Sequence, residues 1–210
     1  MEQPNGVQAE IETLPAQPTF SPKLRVRANQ PGARRLGQYV AWILRQLGRP
    51  HVVVLCIGND QSTGDALGPL VGTLLMRRKA GRLPQVRVFG TLDEPVNTCN
   101  CASVVEAIYR FHAGCALIAV DAALGRRENI GTITVGLGPL QPAAWSDKKL
   151  PQVGDVFVIG TVCDNPNGFL PHFVLQTTPL GLVLRMAEVI ASGLSNGIRT
   201  FLASNGSKGS

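Results

Sequence analysis

Aromatic residues are scarce in this chain of 210 residues: they make up 5% of it, and histidine occurs only three times. Proteins that bind single-stranded nucleic acids interleave aromatic with basic side chains, so this scarcity argues against such a partner. The net charge of +6 does not by itself indicate a nucleic-acid partner either. Residues 1–50 hold seven basic and three acidic side chains, so most of the charge belongs to the first quarter of the chain. We predict no nucleic-acid partner.

Long apolar runs are missing as well. Residues 165–184 carry no formal charge, but they include Asn, Pro, His, Gln and Gly, which is not typical of a membrane span. The N-terminus has acids and prolines where a signal peptide has an apolar segment. The five cysteines form no C-x-x-C motif, since Cys99 and Cys101 are spaced C-x-C. These features predict a cytoplasmic protein with reduced thiols and no membrane partner.

Known cofactor motifs are absent from the most conspicuous glycine-rich stretch. Gly58 and Gly64 are separated by five residues, which fits no Rossmann fingerprint. Asp65 stands where a P-loop has its lysine, and its charge would repel a phosphate. No H-E-x-x-H motif occurs either. We therefore predict no cofactor.

What the chain does contain is a strand, a polar turn and a helix in residues 56–75, CIGNDQSTGDALGPLVGTLL. Gly58 ends a run of apolar residues, and polar residues continue to Asp65, after which a helical pattern begins. In α/β sheets such turns lie at the carboxyl ends of strands, where ligands bind. Ser62, Thr63 and Asp65 are also residue types that cap helices, so capping is an alternative explanation for each of them.

Apolar runs alternate with helical patterns along the rest of the chain. Strands are predicted at 52–57, 86–90, 115–120, 130–135 and 156–162, and helices at 36–47, 67–79, 103–111 and 178–194. A capping box, Ser103-x-x-Glu106, is predicted to open the third helix. This alternation predicts a three-layer αβα sandwich with a mostly parallel sheet. We predict a disordered arm over residues 1–31, a single α/β domain over 32–201 and a flexible tail over 202–210.

Carboxylates follow three of the predicted strands at the same edge of the sheet. We predict Asp65 and Asp121 as catalytic residues, because Asp121 emerges directly from an apolar run and the two are expected to lie close together. A wider set of polar residues and one glycine from the same turns is predicted to bind substrate: Asn59, Asp60, Ser62, Thr63, Gly64, Asp93, Glu94 and Asn97.

Four segments, IGNDQSTGDALGPLVG, GTLDEPVN, VDAALG and FVLQTTPL, resemble the YyaC-type sporulation proteins. That family is similar to the germination protease of spore formers and, more distantly, to the hydrogenase-maturation proteases. The resemblance covers residues 52–194 and implies a phosphorylase/hydrolase-like α/β fold. It also implies a location in the mother cell or forespore of a spore-forming bacterium. Asp65 and Asp121 match the two aspartates thought to perform catalysis in the germination protease.

In the hydrogenase-maturation proteases the corresponding acids bind nickel together with a histidine. No histidine occurs between residues 135 and 156 of this chain, so His172 is the alternative third ligand, and we predict no metal site otherwise. Three hypotheses follow. The favoured one is a peptidase-like hydrolase in which an aspartate pair shares a proton and activates water. The others are a metal-binding hydrolase or nickel sensor, and a catalytically silent spore protein that binds a protein or peptide. Small spore proteins are candidate substrates, and a homo-oligomer is compatible with the sequence.

Overall fold

The structure is a computed structural model that describes residues 23–142, 150–165 and 169–206. Six strands form one sheet in the order β1-β5-β6-β4-β2-β3. The strands are β1 (Lys23–Arg27), β2 (Val52–Cys56), β3 (Val86–Phe89), β4 (Ala116–Leu124), β5 (Thr132–Leu137) and β6 (Val156–Cys163). The helices are α1 (Gln30–Leu47), α2 (Leu67–Met76), α3 (Cys101–Phe111), α4 (Pro171–Gln176) and α5 (Leu180–Gly206).

The sheet is mostly parallel, as the sequence predicts. Strands β6, β4, β2 and β3 pair in parallel, whereas β5 is antiparallel to both of its neighbours. Strand β1 therefore runs in the same direction as the four parallel strands. Helices α1, α2 and α5 cover one face of the sheet and α3 covers the other, which makes three layers. The predicted fold class is confirmed.

Strand β2 lies between β4 and β3 and is buried along its whole length. Val52, Val54 and Cys56 pack against the layer that contains α1, α2 and α5. Val53 and Leu55 pack on the opposite face against α3. A strand buried on both faces reads as a continuous apolar run, and this explains why the sequence located β2 so clearly.

The N-terminal boundary predicted from the sequence is wrong over residues 23–31. Residues 23–27 form β1, which pairs with β5, and Val26 is buried. Asn29 then caps α1 by accepting a hydrogen bond of 2.8 Å from the Gly32 N–H. The pattern KLRVR has only two apolar positions, so its stability as an edge strand comes from pairing that sequence periodicity does not reveal. Residues 1–22 of the predicted arm lie outside the described residues.

The C-terminal boundary is also wrong, because α5 continues to Gly206 instead of ending near residue 194. The flexible tail predicted from residue 202 is therefore helical as far as residue 206, and residues 207–210 lie outside the described residues. Phe201 is fully buried in the extra turns. A Cβ at Gly197 would lie 2.7 Å from the carbonyl of Gly37, so glycines bring α5 and α1 together closely. None of the described helices is long and apolar enough to cross a membrane.

Two element boundaries near the predicted site also differ from expectation. Helix α3 begins at Cys101, and the Ser103 hydroxyl donates to the Asn100 carbonyl at 2.9 Å, so the predicted capping box does not open this helix. Strand β4 extends to Leu124, which places Asp121 within the strand and not after it. The extension is stabilised by pairing with β6, where Asp121 lies opposite Ile159.

Candidate active site at the carboxyl edge of the sheet

The turn after β2 is anchored on both sides by the backbone. Ile57 donates its N–H to the Val120 carbonyl of β4 at 2.8 Å, and Gly58 donates to the Val96 carbonyl at 2.8 Å. Gly58 has φ of +148°, and a Cβ there would clash with the Asp65 carbonyl. Only glycine therefore lets the turn fold back on itself, with the Asp65 backbone against Gly58.

Asp65 is buried at this turn, with 8% of its surface exposed. Burial raises the pKa of its carboxyl group to about 6, and the hydrogen bond that it accepts from the Asn59 backbone lowers the pKa in part. Helix α2 starts at the next residue but one, without a side-chain cap at Ala66. Capping of α2 thus does not explain this buried acid, whereas proton transfer near neutral pH is chemistry suited to it.

Asp121 lies on the α3 face of β4, since it alternates with Val120 and Ala122, which pack on the other face. It is 4% exposed, and its Oδ1 accepts the Ala122 N–H at 2.8 Å. Burial, followed by the negative charge of Asp121, raises the pKa of the Cys101 thiol to about 11. Cys101 is therefore protonated at neutral pH, which is the wrong state for a nucleophile.

The two acids reach the same edge of the sheet from different directions. Asp121 comes from the α3 face, whereas Asp65 belongs to the turn that leads to α2 on the other face. Ile57 separates them: it follows Cys56, which pairs with Val120, and so it lies beside Asp121 in the sheet. Direct contact between the two carboxylates across this edge stays a prediction.

The other predicted residues of the first turn have separate environments. Asn59 accepts the Gln61 N–H on its Oδ1 at 3.1 Å, which shapes the turn. Asp60 is exposed and Thr63 is half-buried. The Ser62 hydroxyl is buried and has no hydrogen-bond partner among the described residues. Gly64 donates its N–H to the Leu175 carbonyl at 2.9 Å, which connects the turn to α4.

The turn after β3 is held mainly by its own hydrogen bonds. Thr91 and Glu94 bond each other twice, through Thr91 N–H to the Glu94 carbonyl and Glu94 N–H to the Thr91 hydroxyl, both at 3.1 Å. Asp93 and Glu94 are exposed. The Oδ1 of Asn97 accepts a hydrogen bond from the Cys99 N–H at 2.9 Å. Asn97 and Glu94 also line a cleft of about 560 Å³. Asp65 is not among the described residues that line this cleft.

A metal site does not follow from the described residues. Among them, no group of three His, Cys, Asp or Glu side chains is arranged to hold a metal ion. His172, the proposed third ligand, is exposed on α4, and its ring contacts that of Phe173 in a tilted arrangement with centroids 4.1 Å apart.

Sequence reasoning missed a cavity of about 240 Å³ that borders Asp121. Ala123 and Ile159 line it from β4 and β6, and Leu140 and Gln141 line it from the segment after β5. Leu140 is held there by an isolated bridge to Val153, far from any recognisable motif. Of the residues that line this cavity, Asp121 was the one predicted as functional from the sequence.

These features define a three-layer α/β protein with buried acids at the carboxyl edge of its sheet. Residues 27–193 match the family described as protein of unknown function (DUF1256), and the chain belongs to this family. It is 44% identical over 168 residues to the uncharacterized protein YyaC of Bacillus subtilis (strain 168), covering 80% of each protein. The resemblance proposed from the sequence is confirmed.

The fold is similar to that of a solved structure, the [NiFe] hydrogenase maturation protease HycI from Thermococcus kodakarensis KOD1. The sequences are 22% identical, the TM-score is 0.42, and the match covers 72% of this chain and 98% of the other. A likeness of this size does not assign an activity, because one fold serves many functions.

Proposed function

We propose that this protein is a peptidase-like hydrolase in which Asp65 and Asp121 activate water for cleavage of a peptide bond. The observation that carries the proposal is the burial of Asp65, which raises its pKa to about 6 in the turn that follows the buried strand β2. A carboxyl group with a pKa near the working pH can gain and lose a proton during each turnover. An ordinary surface aspartate cannot hold a proton at neutral pH.

The two acids have different roles in this mechanism. Asp65 holds the proton, because burial favours its neutral form, and it protonates the leaving nitrogen. We assign Asp121 the role of the ionised base in this scheme, which takes a proton from the attacking water. Burial alone accounts for the raised pKa of Asp65, so a proton shared between two touching carboxylates is not required.

The substrate is a protein or peptide, and small spore proteins are the first candidates. This part of the proposal rests on the resemblance of the sequence to the YyaC-type sporulation proteins and, through them, to the germination protease. A role in sporulation, and a location in the cytoplasm of the mother cell or forespore, belong to the same proposal. Cleavage needs no cofactor in this scheme, since both proton transfers use side chains of the chain itself.

The test is a cleavage assay with the purified full chain, a peptide library and an extract of spore proteins, read by mass spectrometry. We expect Asp65→Asn and Asp121→Asn each to lower kcat/KM by about 10³-fold or more. When two residues act as a unit in catalysis, removing either one removes most of the activity. Glu106→Gln, which removes an exposed acid on α3, is the matched control and should retain activity. Circular dichroism checks that each variant is folded. A wild-type protein that cuts nothing, or an Asp65→Asn variant that cuts normally, contradicts the proposal.

A second candidate function, binding of a protein partner without catalysis, is favoured by one observation. Four large apolar side chains between the end of β6 and the start of α5 are more than half exposed: Phe169, Leu170, Phe173 and Leu180. Exposed apolar residues grouped in this way often mark interaction sites. If no substrate is cut, while Phe173→Ser abolishes binding of a spore protein and Phe111→Ser does not, the binding function replaces the hydrolase.

A further inference from the structure

The cavity beside Asp121 is lined mainly by aliphatic side chains. Ile159 lies opposite Asp121 in the pairing of β4 with β6, and Ala123 follows on the same face of β4. Leu140 completes the apolar wall. Among the described residues that line the cavity, Asp121 is the charged one, so the acid sits at the border of an otherwise apolar space.

Gln141 is the other polar side chain at this cavity, and one N–H of its amide is already engaged. Its Nε2 donates to the Leu150 carbonyl at 2.7 Å, which connects the two ends of the segment between β5 and β6. A ligand in the cavity would therefore meet mostly aliphatic surface. The volume of about 240 Å³ is sufficient for a substantial apolar group. An apolar cavity of roughly 150 Å³ already holds a benzene molecule.

We propose that this cavity is the subsite for an aliphatic side chain of the peptide substrate, next to the bond that Asp121 acts on. The inference rests on the proposed hydrolase function and names the substrate class for that site. Leucine, isoleucine and methionine fit the space and its apolar walls. An acidic side chain is rejected, because it would lose its hydration and face the negative charge of Asp121.

The preference for large aliphatic side chains should be measurable. A single methylene in an apolar pocket changes kcat/KM by about 10- to 200-fold. Peptides that differ only at one position, with Leu, Ala or Glu, should therefore be cut in the order Leu, Ala, Glu. We expect kcat/KM for the leucine peptide to be at least about tenfold higher than for the alanine peptide.

Filling the cavity provides the first test. Ala123→Leu should lower kcat/KM for the leucine peptide by about tenfold or more, while the alanine peptide loses little. Ala102→Leu, the same substitution at an exposed site on α3, is the matched control and should leave both values unchanged. Ile159→Val is a milder variant in case Ala123→Leu does not fold, and it should shift the preference towards bulkier side chains. Equal cleavage of all three peptides by the wild-type protein overturns the inference and leaves the hydrolase function intact.

Binding without catalysis provides the second test and separates the two proposals. N-acetyl-leucinamide should shift the amide NMR signals of Ala123 and Ile159, whereas N-acetyl-glutamic acid amide should not. The same shifts should appear in Asp65→Asn, which the proposed mechanism makes inactive. If no peptide is cut but leucinamide binds here, the hydrolase function fails and the apolar site stands. If peptides are cut and leucinamide shifts neither signal, the subsite is overturned.

Discussion

Gly64 donates its backbone N–H to the carbonyl of Leu175 at 2.9 Å, and this bond joins the turn that contains Asp65 to α4. Side chains of Leu175 and Thr178 also lie close to Gly64. A Cβ at Gly64 would lie 2.8 Å from Leu175 Cδ2 and 2.9 Å from the Thr178 hydroxyl. Two segments far apart in sequence therefore meet at Gly64, and the position of Asp65 depends on both.

Gly64→Ala is expected to destabilise the protein, because the new methyl group would push Leu175 or Thr178 away. Overpacking of this kind costs about 1–3 kcal/mol. Gly181→Ala is the matched control: its Cβ would meet only the Arg185 guanidinium at 3.4 Å, an ordinary contact. Alanine in place of glycine inside a helix stabilises by roughly 0.5–1 kcal/mol. Urea denaturation of both variants measures the difference, and equal stability of the two would contradict the close contact at Gly64.

Asp65→Asn is expected to stabilise the fold at pH 7 and not at pH 4. The folded protein raises the pKa of Asp65 from its ordinary 3.8 to about 6, so the folded state binds the proton more tightly. The stability from this group is fully present below pH 3.8 and is lost as the pH rises through 6. Asparagine carries no charge to bury, so the variant should gain at most about 2–3 kcal/mol at pH 7.

Urea denaturation of the wild-type protein and the Asp65→Asn variant across pH 4–7 tests this linkage. The difference in unfolding free energy should grow with pH. Glu106→Gln, at an exposed site, should show no such trend. A difference between wild type and Asp65→Asn that is constant with pH would show that Asp65 keeps its ordinary pKa.

Hydrolysis is expected to survive EDTA and to fall as the pH rises above about 6, because Asp65 then loses the proton that it donates. The measurement is kcat/KM across pH 5–8, with and without EDTA. A metal-dependent enzyme behaves in the opposite way, since its ligands must be deprotonated and chelation removes the metal. If EDTA stops cleavage and nickel or zinc restores it, the metal-binding hydrolase replaces the proposed one. His172→Ala would then test whether His172 is a third metal ligand in addition to Asp65 and Asp121.

Removal of residues 1–29 is expected to lower the melting temperature more than removal of residues 1–22. The longer deletion removes all five residue pairs between β1 and β5 and the cap at Asn29. Loss of a buried valine such as Val26 costs about 1.5–3 kcal/mol, and loss of the cap about 1 kcal/mol. Thermal unfolding of the two shortened chains gives the comparison. Identical melting temperatures would show that β1 contributes nothing to stability.

Much of the architecture was predictable because its elements carry strong local signals. Strand β2 is an uninterrupted apolar run, and α1 shows apolar residues at helical spacing. The turn at Gly58 and the acid at Asp65 were likewise visible as a polar break between two apolar elements. By contrast, β1 is a short strand with alternating arginines, and the end of α5 is a mixed sequence after residue 194. Strand β1 is held in place by pairing with β5, and the end of α5 by packing on α1. Neither interaction is a local property of the sequence.

The sequence by itself determined the αβα layers and the family, and it singled out Asp65 after β2 and Asp121 within β4 as the candidate acids. Burial of those acids was decided by the tertiary structure, because desolvation depends on every element that covers a group. The raised pKa of Asp65 arises in this way, as does the apolar cavity next to Asp121. Leu140, from the segment after β5, and Ile159, in β6, line that cavity together only in the folded chain. Local periodicity describes one element at a time, whereas a site requires several of them to meet.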